Sequence, residues 1–318
     1  CTLLDWFLTQ LAARRIAVLA VSGNHDSAER LDYAAGLLAN QNVYIAGQFR
    51  GAPRQIVLND RFGPVEFTLL PFVRAATVRH YMPEADLPDY DSAVAAALSA
   101  CAPSAERRVL VAHQMVVAGL CPPQLSGSET APLTVGTVDS VDAAHFAGFS
   151  YTALGHIHRA QRVGSDTVRY AGAPLCYHLD ECGMEKSATL VRLGRRGVDG
   201  IDTLPLHPRR AMRHIVGPLA KLVEHPADTG DYIWATLTDP TPQPDAMAML
   251  RNAYPNAMRL DYRPQGAEIL PADTAQSVRG KPFASLFEDF FTQMNGRPLT
   301  TEEVLAVKKL REEASKSE

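Results

Sequence analysis

No stretch of this chain approaches the roughly 20 consecutive apolar residues of a membrane span, and no signal-peptide pattern is visible. Cysteine is scarce. Five cysteines in 318 residues are odd in number and follow no zinc-site spacing, which argues against a disulfide framework and points to a reduced, cytoplasmic protein. Basic charge is not in excess either: 31 Lys and Arg face 35 Asp and Glu, for a net charge of −4. A nucleic-acid surface on such a chain has to be a local concentration of basic groups. What remains is an ordinary globular balance, 46% hydrophobic and 21% charged, in a length sufficient for two domains. The chain opens at Cys1 without Met, directly in a helical pattern, and reads as N-terminally incomplete.

Three apolar runs end in polar, metal-competent residues. Ile16–Val21 leads into Ser22-Gly23-Asn24-His25-Asp26-Ser27, Val109–Ala112 ends at His113-Gln114, and Tyr151–Leu154 ends in Gly155-His156-Ile157-His158. Each run is too short for a helix and is flanked by turn material, so each reads as a buried strand. Gly155 is expected to turn the backbone tightly at the strand end. A lone histidine near a strand end is most often a satisfied core or surface residue. Three strands delivering such residues at their C-terminal ends is a different matter, because open α/β sheets place their sites there. Imidazole is the commonest metal ligand, and two on one short loop can address two neighbouring ions. Asp26 or Ser27 can cap a helix over about Ala28–Ala39; Glu29 follows Asp26 by three residues as in a capping box, so capping is the expected role of Asp26.

The rest of the chain alternates helices and strands. Leu3, Leu4, Phe7, Leu8 and Leu11 share a helical face. Val43–Ala46, Gln55–Leu58 and Val65–Leu70 read as strands, the last two paired, and Asp91–Cys101 as an alanine-rich helix. Cys121–Pro132 reads as a mobile surface loop and Asp139–Phe146 as a short helix. Strands over Val168–Ala171, Ala188–Leu193 and Val198–Leu206 complete an α/β domain of two packed sheets with helices outside. His207-Pro208-Arg209-Arg210 is the expected boundary to a small α/β domain over 207–265, with a strand at Tyr232–Leu237, a helix at Ala246–Tyr254 and a strand at Met258–Tyr262. A linker over 266–281 and helices at Pro282–Asn295 and Thr300–Ala314 follow. Phe283, Leu286, Phe287, Phe290 and Phe291 form an apolar stripe at helical spacing, with little chain left to bury it.

Gly23-Asn24-His25-Asp26, the isolated His113 and Gly155-His156-Ile157-His158, in that order, resemble the calcineurin-like metallophosphoesterases. Together with Ala153 to Arg159, Arg169-Tyr170-Ala171-Gly172-Ala173-Pro174, Asp180-Glu181 and Lys186-Ser187, the chain is similar to the SbcD family, nuclease subunits that work with the SbcC ATPase. The resemblance covers nearly the whole chain and weakens between about Phe49 and Pro103. It implies a two-sheet metallophosphoesterase sandwich over 1–206, a capping domain and a C-terminal ATPase-binding segment over 282–318. It implies two divalent ions, manganese or similar, with Asn24, His113 and His156 on one and His158 on the other. It also implies that His25 stays off the metals, contacts the scissile phosphate and protonates the leaving 3′ oxygen. The terminal helices, with Phe283, Leu286, Phe287 and Phe290, dock on the coiled coil of an SMC-like SbcC-type ATPase, in a heterotetramer containing two nuclease subunits. Arg159, Arg162, Arg209, Arg210 and Arg213 are candidate contacts to a DNA backbone. The family's Asp-x-His and Gly-Asp-x-x-Asp motifs are missing. Asp5-Trp6-Phe7 does not supply the first, because Phe7 cannot bind a metal. An upstream segment is expected to carry both motifs, and residues 1–318 alone are expected to be inactive.

The implied function is metal-dependent exonuclease and endonuclease cleavage of DNA in repair, recombination and replication. A phosphoesterase acting on small molecules or phosphoproteins would share every ligand but has no need of the cap or the terminal aromatic helices. A scaffold that binds a coiled coil and keeps a vestigial site is the third reading.

Overall fold

The computed structural model describes residues 2–119, 121–127, 129, 140–263, 283–301, 303, 304 and 307. They divide into two units, 1–209 and 210–318.

The first unit is organised around a six-stranded sheet. Its strands run in the order Arg54–Asp60, Gly63–Leu70, Arg107–His113, Tyr151–Gly155, Ser165–Tyr170 and Gln161–Val163. The first pair is the antiparallel hairpin expected from the sequence. The four strands from Gly63–Leu70 to Ser165–Tyr170 are parallel to one another. Leu69, Leu70, Leu110, Ala112 and Leu154 are buried, as near-continuous apolar runs in a covered parallel sheet should be. Burying a leucine side chain fully is worth about 1.5–3 kcal/mol. The helix Tyr90–Ser99 contributes Tyr90, Ala93, Val94 and Ala97 to the same core. Asp89 starts it, accepting from the Ser92 N–H at 2.8 Å while the Ser92 hydroxyl returns to the Asp89 backbone. A separate parallel pair joins Val18–Val21 to Val43–Ala46. Its end is tied to the main sheet where the Phe72 N–H donates to Ser22 O at 2.9 Å. A two-stranded antiparallel hairpin, Lys186–Leu193 with Val198–Leu206, packs Val191, Leu193, Val198 and Ile201 on Val65, Val109 and Tyr151.

Several expectations are corrected. The helix over Ala28–Ala39 is two short helices, Ala28–Asp32 and Ala35–Ala39, broken where Ala34 takes φ 59°. Asp26 forms no capping box; its carboxylate instead accepts from the Gly23 N–H at 2.7 Å and closes its own turn. The helix Thr2–Ala13 forms, but Leu3, Leu4 and Phe7 on its apolar face are at least half exposed. Asp139–Phe146 shortens, among the described residues, to a single 3₁₀ turn at Ala143–Phe146 started by Asp142. A helix at Ala75–Tyr81 had no clear sequence signal. The four described cysteines, Cys101, Cys121, Cys176 and Cys182, are free thiols.

The second unit contains a parallel three-stranded sheet, Met212–Gly217, Tyr232–Leu237 and Ala257–Tyr262, with helices at Leu219–Glu224 and Ala246–Ala253. Ile233, Ala235, Leu250 and Tyr254 form its core. The strand at Met212 and the helix after it were not anticipated, because the adjacent Arg213 and His214 interrupt the strand's apolar pattern and the helix, Leu219–Glu224, is only 6 residues long. Further on, Phe283–Asn295 is helical, and the Phe287 and Phe290 rings stand 6.5 Å apart with Phe290 exposed. The side chains of Phe283 and Leu286, the expected linker over 266–281 and the far end of the Thr300–Ala314 helix lie outside the described residues. Among the described residues, no helix is long and apolar enough to cross a membrane.

Candidate metal centre

The three polar strand ends meet. His113 closes its strand directly opposite Gly155 in the parallel register. Its Nε2 lies 3.1 Å from Asn24 Oδ1, and its ring meets that of His156 edge to face at 5.4 Å between centroids. Two glycines make this possible. A Cβ on Gly23 would fall 2.7 Å from His113 Cε1, and one on Gly155 would fall 2.7 Å from His113 Nδ1. Gly155 is therefore needed for space. The backbone turn expected there falls one residue later, where His156 takes φ 105°, a strained conformation of the kind that gathers at functional sites. Ile157 folds back into the core and is 1% exposed.

Burial pulls the His113 imidazole down to about 4, with charge on His156, His25 and His158 adding to the effect and Asp26 opposing it. Burial also lowers His156, against the pull of Glu129. Both rings are thus neutral at pH 7, the form that binds metals. The donors are two neutral imidazoles and an amide oxygen, nitrogen and oxygen atoms of the kind that bind divalent metals. Two neighbouring ligand atoms, each about 2.1 Å from an ion, stand roughly 3 Å apart, as Asn24 Oδ1 and His113 Nε2 do. Among the described residues, no group of three or more His, Cys, Asp and Glu is gathered to hold a metal, so this amide-containing set is what the described residues offer.

His158 lies beyond this trio, with its Nδ1 3.4 Å from Glu181 Oε1 and 3.7 Å from Glu129 Oε1. Lys186 Nζ reaches the other Glu181 oxygen at 2.5 Å. Burial opposes the charge on Glu181, yet the bonds from Lys186 and His158 keep its pKa below the ordinary value. Sequence reasoning gave Glu129, Glu181 and Lys186 no role. Glu129 sits in the stretch read as a mobile loop, but the described part of that loop is tied down: the Gly127 N–H donates to Asp180 Oδ2 at 2.9 Å, and Ser126 is buried. Glu181 and Lys186 lie in the Asp180-Glu181 and Lys186-Ser187 stretches that carry the family resemblance, and that was the available signal.

His25 is exposed on the Asn24 turn. Arg159 donates to the Gln124 side chain, and Arg162 pairs with Asp166 at 2.9 Å. In the second unit, Arg213 is held by Asp231 at 2.8 Å and by the carbonyls of Ala227 and Asp228. Arg209 ends the first unit and Arg210 begins the second. A cleft of about 290 Å³ opens beside His158, lined by Arg159, Gly172, Lys186 and Ser187 among others.

A mixed α/β protein with polar loops gathered at the C-terminal ends of its parallel strands has the layout in which open α/β sheets place their ligand sites. Residues 208–295 match the SbcD_C family, described as the type 5 capsule protein repressor C-terminal domain. The match falls on the second unit and supports an SbcD-like identity, that of a nuclease-subunit family.

Proposed function

We propose that this chain is the metal-dependent nuclease subunit of an SbcC–SbcD-type complex, hydrolysing phosphodiester bonds at DNA ends and hairpins. The observation that carries the proposal is the convergence of Asn24, His113 and His156 in a chain whose residues 208–295 match SbcD_C. Asn24, His113 and His156 would hold one divalent ion and His158 would serve the other. When bound, such ions polarise the phosphate and lower the pKa of water to yield a nucleophile at neutral pH. His25, exposed and next to Asn24 in the chain, would give a proton to the leaving 3′ oxygen. Asp26 holds the turn that carries both residues. Arg159, Arg162, Arg209, Arg210 and Arg213 are assigned to the DNA backbone, which positions the strand without reading sequence.

SbcD-like proteins work with an SbcC partner, and the helix Phe283–Asn295 supplies an apolar stripe for its coiled coil. The working assembly is a heterotetramer with two copies of this subunit, acting in the cytoplasm on the nucleoid. The test is a manganese-dependent cleavage assay, with the expected Asp-x-His and Gly-Asp-x-x-Asp segment restored ahead of this chain, on DNA ends and on a small phosphodiester, with and without the ATPase. DNA-end cleavage stimulated by the ATPase is the expected result. Activity confined to the small ester would overturn the proposal in favour of a small-molecule phosphoesterase.

A further inference from the structure

Two buried carboxylates and a lysine close around one histidine. The Glu181 side chain is 0% exposed and that of Glu129 is 3% exposed. A carboxylate taken out of water at such cost is retained where it is paired and hydrogen-bonded. Glu129 accepts from the His158 backbone N–H. Lys186 Nζ donates to the His158 carbonyl at 3.3 Å and to Glu181 Oε2 at 2.5 Å. That leaves Glu181 Oε1 facing His158 Nδ1 at 3.4 Å, with the Ser126 hydroxyl donating to the same oxygen at 3.4 Å. The His158 ring also leans on Tyr177, with centroids 5.3 Å apart. Backbone N–H, backbone carbonyl and ring nitrogen of one residue are thus all gripped by this cluster. Its two carboxylates and one ammonium carry a net negative charge, which complements a cation on the far side of the ring.

We propose that Glu181, anchored by Lys186, is the positioning residue of His158: it accepts the Nδ1–H bond, fixes that tautomer, and turns Nε2 towards the metal side. The proposal deepens the function proposed above and rests on the reading of His158 as a ligand. A histidine ligand held this way through its other nitrogen is oriented in advance and is a better electron-pair donor. Lys186 gives Glu181 its fixed orientation, and Glu129 fixes the backbone from which the ring projects.

The test is histidine ¹⁵N NMR on the metal-free 318-residue chain, with the His158 signals among its ten histidines assigned by their loss in His158→Gln. In the unsubstituted chain, neutral His158 is expected as the Nδ1–H tautomer. In Glu181→Gln the ammonium of Lys186 keeps the amide oxygen, so the amide NH₂ faces Nδ1 and the tautomer should switch to Nε2–H. A His158 that is Nε2–H in the unsubstituted chain overturns the proposal whether or not any variant folds, and so does a Glu181→Gln variant that stays Nδ1–H. The wider site reading fails with a different signature: an active assembly that cleaves DNA unimpaired after His158→Gln.

Discussion

His113 and Gly155 are register partners on adjacent parallel strands, and the His113 ring occupies the space where a Gly155 side chain would begin, 2.7 Å from Nδ1. The glycine therefore sets where the imidazole sits. Gly155→Ala should push the ring away from Asn24, cost about 1–3 kcal/mol of stability as an overpacked site does, and weaken manganese binding. Thermal unfolding and a manganese titration check this. A variant that melts and binds like the unsubstituted chain would mean the ring has room to give.

The same pair shows how far the sequence could be read. Gly155 stood out as a strand-end glycine, and the strands and loops on either side were legible from apolar runs ending in polar residues. Its physical reason was not legible, because the atom it makes room for lies 42 positions earlier in the chain, in His113. Glu181 and Glu129 were hidden for the same reason: a carboxylate's role depends on what burial brings beside it. The helix over Ala28–Ala39 failed locally, since nothing in its composition marks Ala34 as the left-handed break. The alternation of strand and helix in the second unit survived because Tyr232–Leu237 and Ala246–Ala253 each carry a self-contained pattern.

His25→Ala should leave manganese content nearly unchanged and lower DNA cleavage by roughly 10²–10⁴-fold in an assembly that cleaves DNA, the usual contribution of a general acid. Metal analysis and single-turnover cleavage on the same preparation separate the two effects. Metal content falling in step with activity would make His25 a ligand.

Glu66 gives a pH dependence with a definite sign. It is buried in a central strand. Burial opposes its charge, but the Ser104 N–H at 2.5 Å, the Ser104 hydroxyl at 2.7 Å and Arg108 Nε at 3.1 Å hold the carboxyl down to about 2, against an ordinary value of 4.5. A carboxyl more acidic folded than unfolded stabilises the fold fully above its unfolded pKa. That contribution, on the order of 3 kcal/mol, is lost as the pH falls from about 4.5 towards 2. Glu66→Gln should flatten this part of the stability profile. Denaturant unfolding across the acid range checks it, and an unchanged slope in the variant would refute the assignment.

Deleting residues 283–318 should abolish binding to the coiled coil of an SbcC-type ATPase while leaving manganese-dependent cleavage of small esters by the active enzyme intact. The reason is the stripe carrying Phe287 and Phe290, the latter 58% exposed. Partner affinity unchanged by the deletion, in a pull-down or titration with the purified ATPase base, would remove these helices from the interface.

The metal stoichiometry of the chain is the most demanding expectation. A two-metal site works because both ions hold the same phosphate and the same nucleophile. In this chain Asn24, His113 and His156 converge, but His158 lies with Glu181 and Glu129 against its Nδ1, and among the described residues no three His, Cys, Asp and Glu are grouped so as to hold a metal ion. One imidazole does not hold a hydrated divalent ion against water, and a carboxylate is needed to bridge a pair. Residues 1–318 alone should therefore bind at most one manganese ion, weakly, and show no detectable DNA cleavage. Adding a segment with Asp-x-His and Gly-Asp-x-x-Asp ahead of the helix Thr2–Ala13 should bring in the second ion and the activity. Isothermal titration with manganese and a cleavage assay on both polypeptides decide the matter. Two tightly bound ions and normal cleavage in the shorter one would place the bridging carboxylate among its own residues, with Glu181 and Glu129 the first to substitute.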